Sequence, residues 1–140
     1  MDPFHLALPV HDLSAARRFY EGLLCCSVGR TAERWIDFNF FGHQLSVHLV
    51  DGHEPAAPTN AVDGEQVPAR HFGVVLNLES WAELRDRLSA SGVDFLIEPQ
   101  IRFEGEAGEQ ATMFVCDPSG NALEFKAIQN LDRLFATDID

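Results

Sequence analysis

Two histidines head similar apolar stretches, His5 in FHLALPVHDL and His71 in HFGVVLNLES, 66 positions apart in a chain of 140 residues. A glutamate, Glu124, stands inside a third apolar run, ALEFKAI. Neutral imidazole and carboxylate both ligate divalent cations, and two imidazoles with one carboxylate form a facial set that leaves further positions of an octahedral ion open. Glu124 makes the strongest local case. An acid between Leu123 and Phe125, with no arginine neighbour in sequence, is costly to bury unpaired, and a cation would offset that cost. Taken singly, each residue has an ordinary alternative: a histidine satisfied at a strand start, or a glutamate facing water. Their symmetric placement sets them apart.

The elements that must position them repeat. Phe4–Val10 reads as a strand, and Leu13–Leu24 as a helix with an apolar face of Leu13, Ala16, Tyr20, Leu23 and Leu24, capped by Asp12. RWIDFNFFGHQLSVHLV reads as two strands joined by a turn at Gly42. In the second half His71–Asn77 is a strand, and Ser80–Ser91 a helix opened by a Ser80/Glu83 capping box, striped by Trp81, Leu84 and Leu88 and ended by Gly92. Phe95–Glu98 is a short strand, and QATMFVCDPSGNALEFKAI a hairpin turning at Asp117-Pro118-Ser119-Gly120. Strand alternation places Ala122, Glu124 and Lys126 on one face of its second arm. Each half thus reads β-α-β-β-β. The expectation is an α+β fold in which two paired βαβββ modules form a curved, partly open mixed sheet around a metal-binding cavity, since neither sheet face is buried alone. It is read as one domain spanning 1–140: module one 4–50, a linking loop 51–69, module two 70–128, and a tail 129–140 that is a helical turn or a packing arm.

Composition narrows the partners. A hydrophobic content of 46% with 23% charged residues suits a soluble globular chain, and the net charge of −12 argues against nucleic acid and anionic membranes. Three cysteines, two of them adjacent (Cys25, Cys26), give no disulfide framework, and Cys116 reads as buried filler. With no signal-like start and no membrane-spanning apolar run, a cytoplasmic location is expected.

The paired modules, His5, His71 and the ending DPSGNALEFK resemble the vicinal oxygen chelate superfamily over about Phe4 to Ile128. That superfamily includes glyoxalase I, fosfomycin-resistance transferases, bleomycin-resistance proteins and type I extradiol dioxygenases. ERWIDFNFFGHQLSVHL, HFGVVL and GEQATMFVCDPSGNALEFKA are similar, more narrowly, to short bacterial proteins described as extradiol-dioxygenase-type enzymes. The resemblance implies metal ligands His5, His71 and Glu124, a divalent ion (Fe²⁺ first, with Mn²⁺, Ni²⁺ or Zn²⁺ compatible), a homodimer, and a small substrate with vicinal oxygens such as a catechol. It implies extradiol dioxygenase chemistry, with a non-redox lyase, isomerase or transferase, or a small-molecule binding or resistance protein, as alternatives. Glyoxalase I-like members add a fourth ligand, usually glutamate, on the last strand of module one. Gly42 to Ser46 parallels Gly120 to Glu124, so serine holds that place, which argues against glyoxalase I activity. On the same strand face His48 is the candidate catalytic acid/base, and Gln44 a candidate substrate contact. Arg102, opening a loop over the cavity mouth, and Gln110, closing it, are further substrate-binding candidates. His11, His43, His53 and Arg70 are given no role.

Overall fold

The structure is a computed structural model that describes residues 1–53, 59–62, 65–106 and 108–137. The chain divides into two compact units: residues 1–57 with 116–121, and residues 58–115 with 122–140. In the first, strands β1 (His5–Val10), β2 (Ser27–Ala32), β3 (Trp35–Phe40) and β4 (His43–Leu49) form a sheet of order β1-β4-β3-β2. The pair β1/β4 is parallel, and the others are antiparallel. A hairpin of β5 (Thr59–Val62) and β6 (Glu65–Pro68) follows. The second unit then repeats the first pattern with β7 (Phe72–Leu76), β8 (Phe95–Arg102), β9 (Gln110–Cys116) and β10 (Ala122–Ile128), in the order β7-β10-β9-β8, with β7/β10 parallel. The fold is therefore α+β with two mixed four-stranded sheets of βαβββ type, as expected.

In the first unit, Asp12 caps helix α1 (Leu13–Arg17) by accepting the Ala15 N–H at 2.9 Å, which lowers the carboxyl pKa. The helix expected over Leu13–Leu24 changes winding after Arg17. Residues Arg18–Leu23 are π-helical, and Leu24 N–H reaches back five residues to the Phe19 carbonyl at 3.0 Å. This stretch delivers Phe19 and Tyr20 to a core with Phe38, Leu45 and Val47. Positive φ at Phe41 (52°) and Gly42 (91°) makes the tight β3–β4 turn, whose twist matches that of the strands it joins. β2, counted in the βαβββ pattern, was given no residues of its own in the sequence, and its burial explains why: SVGRTA is an edge strand with almost every residue exposed.

In the second unit the expected start of the long helix is corrected. Helix α2 runs Leu78–Ala90, and its cap is Asn77, whose side chain accepts the Ser80 N–H at 2.8 Å; the Ser80/Glu83 box lies inside the helix. Ser91 ends it, with Gly92 at φ +77° beyond. Trp81, Leu84 and Leu88 are buried, and the Trp81 indole donates to the Phe125 carbonyl at 2.9 Å, fixing α2 on β10. The strand expected at Phe95–Glu98 extends to Arg102, with its pairing interrupted between Ile97 and Gln100 around Pro99, a residue that cannot donate to a ladder. The expected linking loop 51–69 is also corrected, since it contains the β5/β6 hairpin. In the tail Leu131–Arg133 forms a single 3₁₀ turn. Among the described residues no helix is long and apolar enough to cross a membrane.

Candidate functional site

His71 stands just before β7, and Glu124 is in β10, its parallel neighbour. His71 Nδ1 lies 2.7 Å from the Pro68 carbonyl. A carbonyl only accepts, so Nδ1 carries the proton and donates, and Nε2 of the neutral ring keeps its lone pair. That Nε2 lies 3.3 Å from Glu124 Oε1. The other carboxylate oxygen, Oε2, accepts the Thr112 hydroxyl at 2.6 Å, and the Phe114 ring packs edge-on against His71 at 5.1 Å. The carbonyl that fixes His71 belongs to β6, in the segment expected to be only a linker.

The first unit carries a corresponding but different arrangement. His5 Nδ1 lies 2.8 Å from Gln44 Oε1, and Gln44 Nε2 donates to Asp37 Oδ2 at 3.3 Å. Asp37 Oδ1 accepts the Ser46 hydroxyl at 2.5 Å. Asp37 and Ser46 are both buried, whereas Arg30, 3.9 Å from Asp37, is exposed. Asp37 was not singled out in the sequence. The two-residue turn Phe41-Gly42 fixes a register in which Asp37 faces Ser46, and that signal was available in the sequence.

Strand register makes the two halves comparable. Ser46 pairs with Ala7, two residues after His5, and Glu124 pairs with Gly73, two residues after His71. Ser46 thus holds the place of Glu124 in the first unit, as the turn-to-strand count implied. Gly73 has its own reason: a Cβ there would lie 1.6 Å from the Glu124 carbonyl oxygen, so β7 and β10 approach where only glycine fits.

The remaining candidates are dispersed. His48 is exposed near the end of β4, opposite Trp35 and Pro9. Arg102 and Gln110 are paired at the loop end of the β8–β9 hairpin, with the Arg102 guanidinium 5.5 Å from the Phe103 ring centroid. The histidines without an expected role have structural partners. His43 Nδ1 accepts the Phe4 N–H, His11 bonds the Ser119 hydroxyl, and His53 Nε2 donates to the Ser119 carbonyl. Asp117 closes the turn with its carboxylate accepting from Tyr20 Oη, the Ser119 and Asn121 N–H groups, and the Asn121 side chain. Burial and that neighbouring carboxylate push the Cys116 thiol up, although the residue is half-buried rather than the fully buried filler expected.

The donor chemistry fits a divalent cation at His71 and Glu124. Ligands at about 2.0–2.2 Å from one ion and adjacent in its coordination shell lie roughly 3.0–3.4 Å apart, and the observed nitrogen-to-oxygen separation is 3.3 Å. An imidazole donating its other N–H to a backbone carbonyl is the usual arrangement of a metal-ligating histidine. His5 has the same arrangement with a side-chain carbonyl in that role. The structure brings His71 and Glu124 together in one unit, and His5 belongs to the other. Among the described residues no group of three or more His, Cys, Asp or Glu side chains is arranged to hold an ion.

The sequence profile of the Glyoxalase/Bleomycin resistance protein/Dioxygenase superfamily matches residues 3–125. A glyoxalase/bleomycin resistance protein/dioxygenase from Alicyclobacillus acidocaldarius is 35% identical, with 96% of each chain covered and a TM-score of 0.77. A genomically encoded fosfomycin resistance protein from Listeria monocytogenes is 17% identical, covering 94% of each chain at a TM-score of 0.66. A lactoylglutathione lyase from Agrobacterium tumefaciens is 15% identical, covering 90% of this chain and 92% of its own, at a TM-score of 0.60. The last two share the fold. No curated protein matches the chain. The profile match and the close relative together establish that the chain belongs to the glyoxalase/bleomycin resistance protein/dioxygenase superfamily.

Proposed function

We propose that this chain is a metal-dependent enzyme of extradiol dioxygenase type, acting on a small substrate with two adjacent oxygens such as a catechol. His71, Glu124 and His5 are its protein ligands. The observation that carries this reading is the pair His71 Nε2 and Glu124 Oε1, two electron-pair donors 3.3 Å apart with the histidine fixed by the Pro68 carbonyl. Two acceptors facing each other call for a cation between them, either a proton or a metal ion. A divalent ion there supplies Lewis acidity toward substrate oxygens and, as Fe²⁺, redox capacity; Mn²⁺, Ni²⁺ and Zn²⁺ suit the same donors.

Serine at position 46 supports the dioxygenase reading over a four-ligand glyoxalase reading, because one carboxylate fewer leaves more of the coordination sphere for a bidentate substrate. His48, on the strand face shared with Gln44 and Ser46, moves a substrate proton as general base. Gln44, Arg102 and Gln110 contact the substrate's polar edge, and the active form is a homodimer. The test is anaerobic reconstitution with Fe²⁺ followed by oxygen-uptake measurements over a catechol panel, with His71→Ala, Glu124→Ala and His5→Ala alongside. Oxygen uptake by the wild type and its loss in all three variants is expected. No uptake with any catechol, or turnover that is equal with a redox-inert ion, overturns the dioxygenase assignment.

A further inference from the structure

We infer that Asp37 is a positioning residue for His5, acting through Gln44. Three consecutive contacts set the polarity of the chain from Asp37 to His5. An ionised carboxylate only accepts hydrogen bonds. Asp37 Oδ2, 3.3 Å from the Gln44 amide, therefore holds the NH₂ end of that amide toward itself. The opposite end of Gln44, which meets His5 Nδ1 at 2.8 Å, is then the carbonyl. A carbonyl only accepts, so His5 Nδ1 must donate, and the neutral ring keeps its lone pair on Nε2. The buried carboxylate thereby selects the histidine tautomer two contacts away. Ser46 keeps Asp37 in place by donating to its other oxygen, so the serine in the acid position of this unit anchors an acid on the neighbouring strand.

The sheet makes the chain of contacts stereochemically natural. His5 pairs with Gln44 across β1/β4, and Asp37 pairs with Ser46 across β3/β4. All four residues occupy alternating positions that share one sheet face. Asparagine at position 37 could present either an oxygen or an NH₂ group, which would free Gln44 to flip and His5 to exchange tautomers. A hydrogen bond of ordinary net strength supports about a fivefold tautomer preference, which is the size of effect at stake. The consequence for metal affinity rests on the ligand role proposed for His5; the tautomer selection does not.

The experiment uses the full chain, treated with chelator, and long-range ¹H–¹⁵N correlation spectra at about pH 8. Wild type is expected to show His5 with the proton on Nδ1. Asp37→Asn and Gln44→Leu are expected to shift both ring nitrogens toward a tautomer mixture. Zn²⁺ titration should show an affinity loss of about 10–100-fold in each of these two variants, and the double variant should lose no more than Gln44→Leu alone. An unchanged tautomer in both single variants, or losses that multiply in the double variant, overturns the inference. Should Asp37→Asn fail to fold, Gln44→Leu carries the tautomer test, and retention of the wild-type tautomer there refutes it. A shifted tautomer with unchanged Zn²⁺ affinity upholds the positioning role and removes His5 from the ligand set.

Discussion

Glu124→Gln separates the folding and ligating demands made on a single atom. Glu124 Oε2 accepts the Thr112 hydroxyl, while Oε1 faces His71 Nε2 at 3.3 Å. With Nδ1 donating to the Pro68 carbonyl, the neutral imidazole turns a lone pair toward that oxygen. In the variant the amide oxygen keeps the Thr112 bond, and the amide nitrogen donates to Nε2. One acceptor–acceptor contact becomes a hydrogen bond, worth about 1 kcal/mol net, or roughly 3–4 °C in a chain of this size. The metal-free variant should therefore melt above the wild type at about pH 8. Ion binding should suffer more than outer-shell losses of about 10–100-fold, because a ligand and its charge are both removed. Calorimetry of chelator-treated protein and Zn²⁺ titration read the two effects separately. A variant that melts below the wild type at about pH 8, or that binds Zn²⁺ as tightly, refutes the reasoning.

Two further substitutions test the surrounding framework. Tyr20 is fully buried with its hydroxyl 2.8 Å from Asp117, and burial, reinforced by that carboxylate's charge, pushes its phenol well above its ordinary value. Because the unfolded chain releases the proton near pH ~10 and the folded one does not, the stabilisation is fully present below about pH 10 and declines as pH rises above it. Tyr20→Phe should cost about 1.5–3 kcal/mol near neutrality and flatten the alkaline decline. Denaturant titrations at two pH values check both, and an unchanged alkaline slope contradicts the assignment. Gly73→Ala sets a Cβ against the Glu124 carbonyl oxygen and should destabilise by more than about 3 kcal/mol. The mirror change Ala7→Gly should cost about 0.5–1 kcal/mol. A Gly73→Ala melting point within roughly 3 °C of the wild type would show that β7 and β10 yield at no cost.

Legibility in the sequence followed burial. Elements with one clear apolar face were readable: β3 and β4 across the Gly42 turn, α2 through Trp81, Leu84 and Leu88, and β10 around Glu124. β2 was not, because an exposed edge strand needs no alternation. The β5/β6 hairpin lay within a Pro-, Gly- and acid-rich stretch that reads as loop by composition alone. The start of α2 was misplaced because Asn77 and Ser80 are both good caps, and only the backbone decides which of them leads the helix. At the candidate site, the facing of His71 and Glu124 follows from the parallel pairing of β7 with β10, which residue types alone do not specify. The Pro68 carbonyl could not be anticipated, since a backbone oxygen leaves no mark in residue types. Asp37 was overlooked for another reason. It lies far from His5 in sequence, and its connection exists only through two registers, β1/β4 and β3/β4.

The same topology supports its two histidines by different means. His71 has a backbone carbonyl behind it and a carboxylate in front. His5 has a side-chain amide behind it, and the nearest acid of its own sheet is a residue further back, held by serine in the position where the other sheet carries glutamate. On the proposed ligand set this asymmetry matters electrostatically. Two neutral imidazoles and one carboxylate leave a divalent ion with a net charge of about +1, whereas a second carboxylate ligand would cancel it. An ion with residual positive charge favours a substrate that brings its own anionic oxygens, such as an ionised vicinal diol, and strengthens the acidity of the hydroxyl it binds. Ser46→Glu therefore tests more than packing. Placing a second carboxylate on β4 should raise affinity for the bare cation while weakening binding of an ionised catechol to the loaded protein, and a gain in both would break the link between ligand charge and substrate choice.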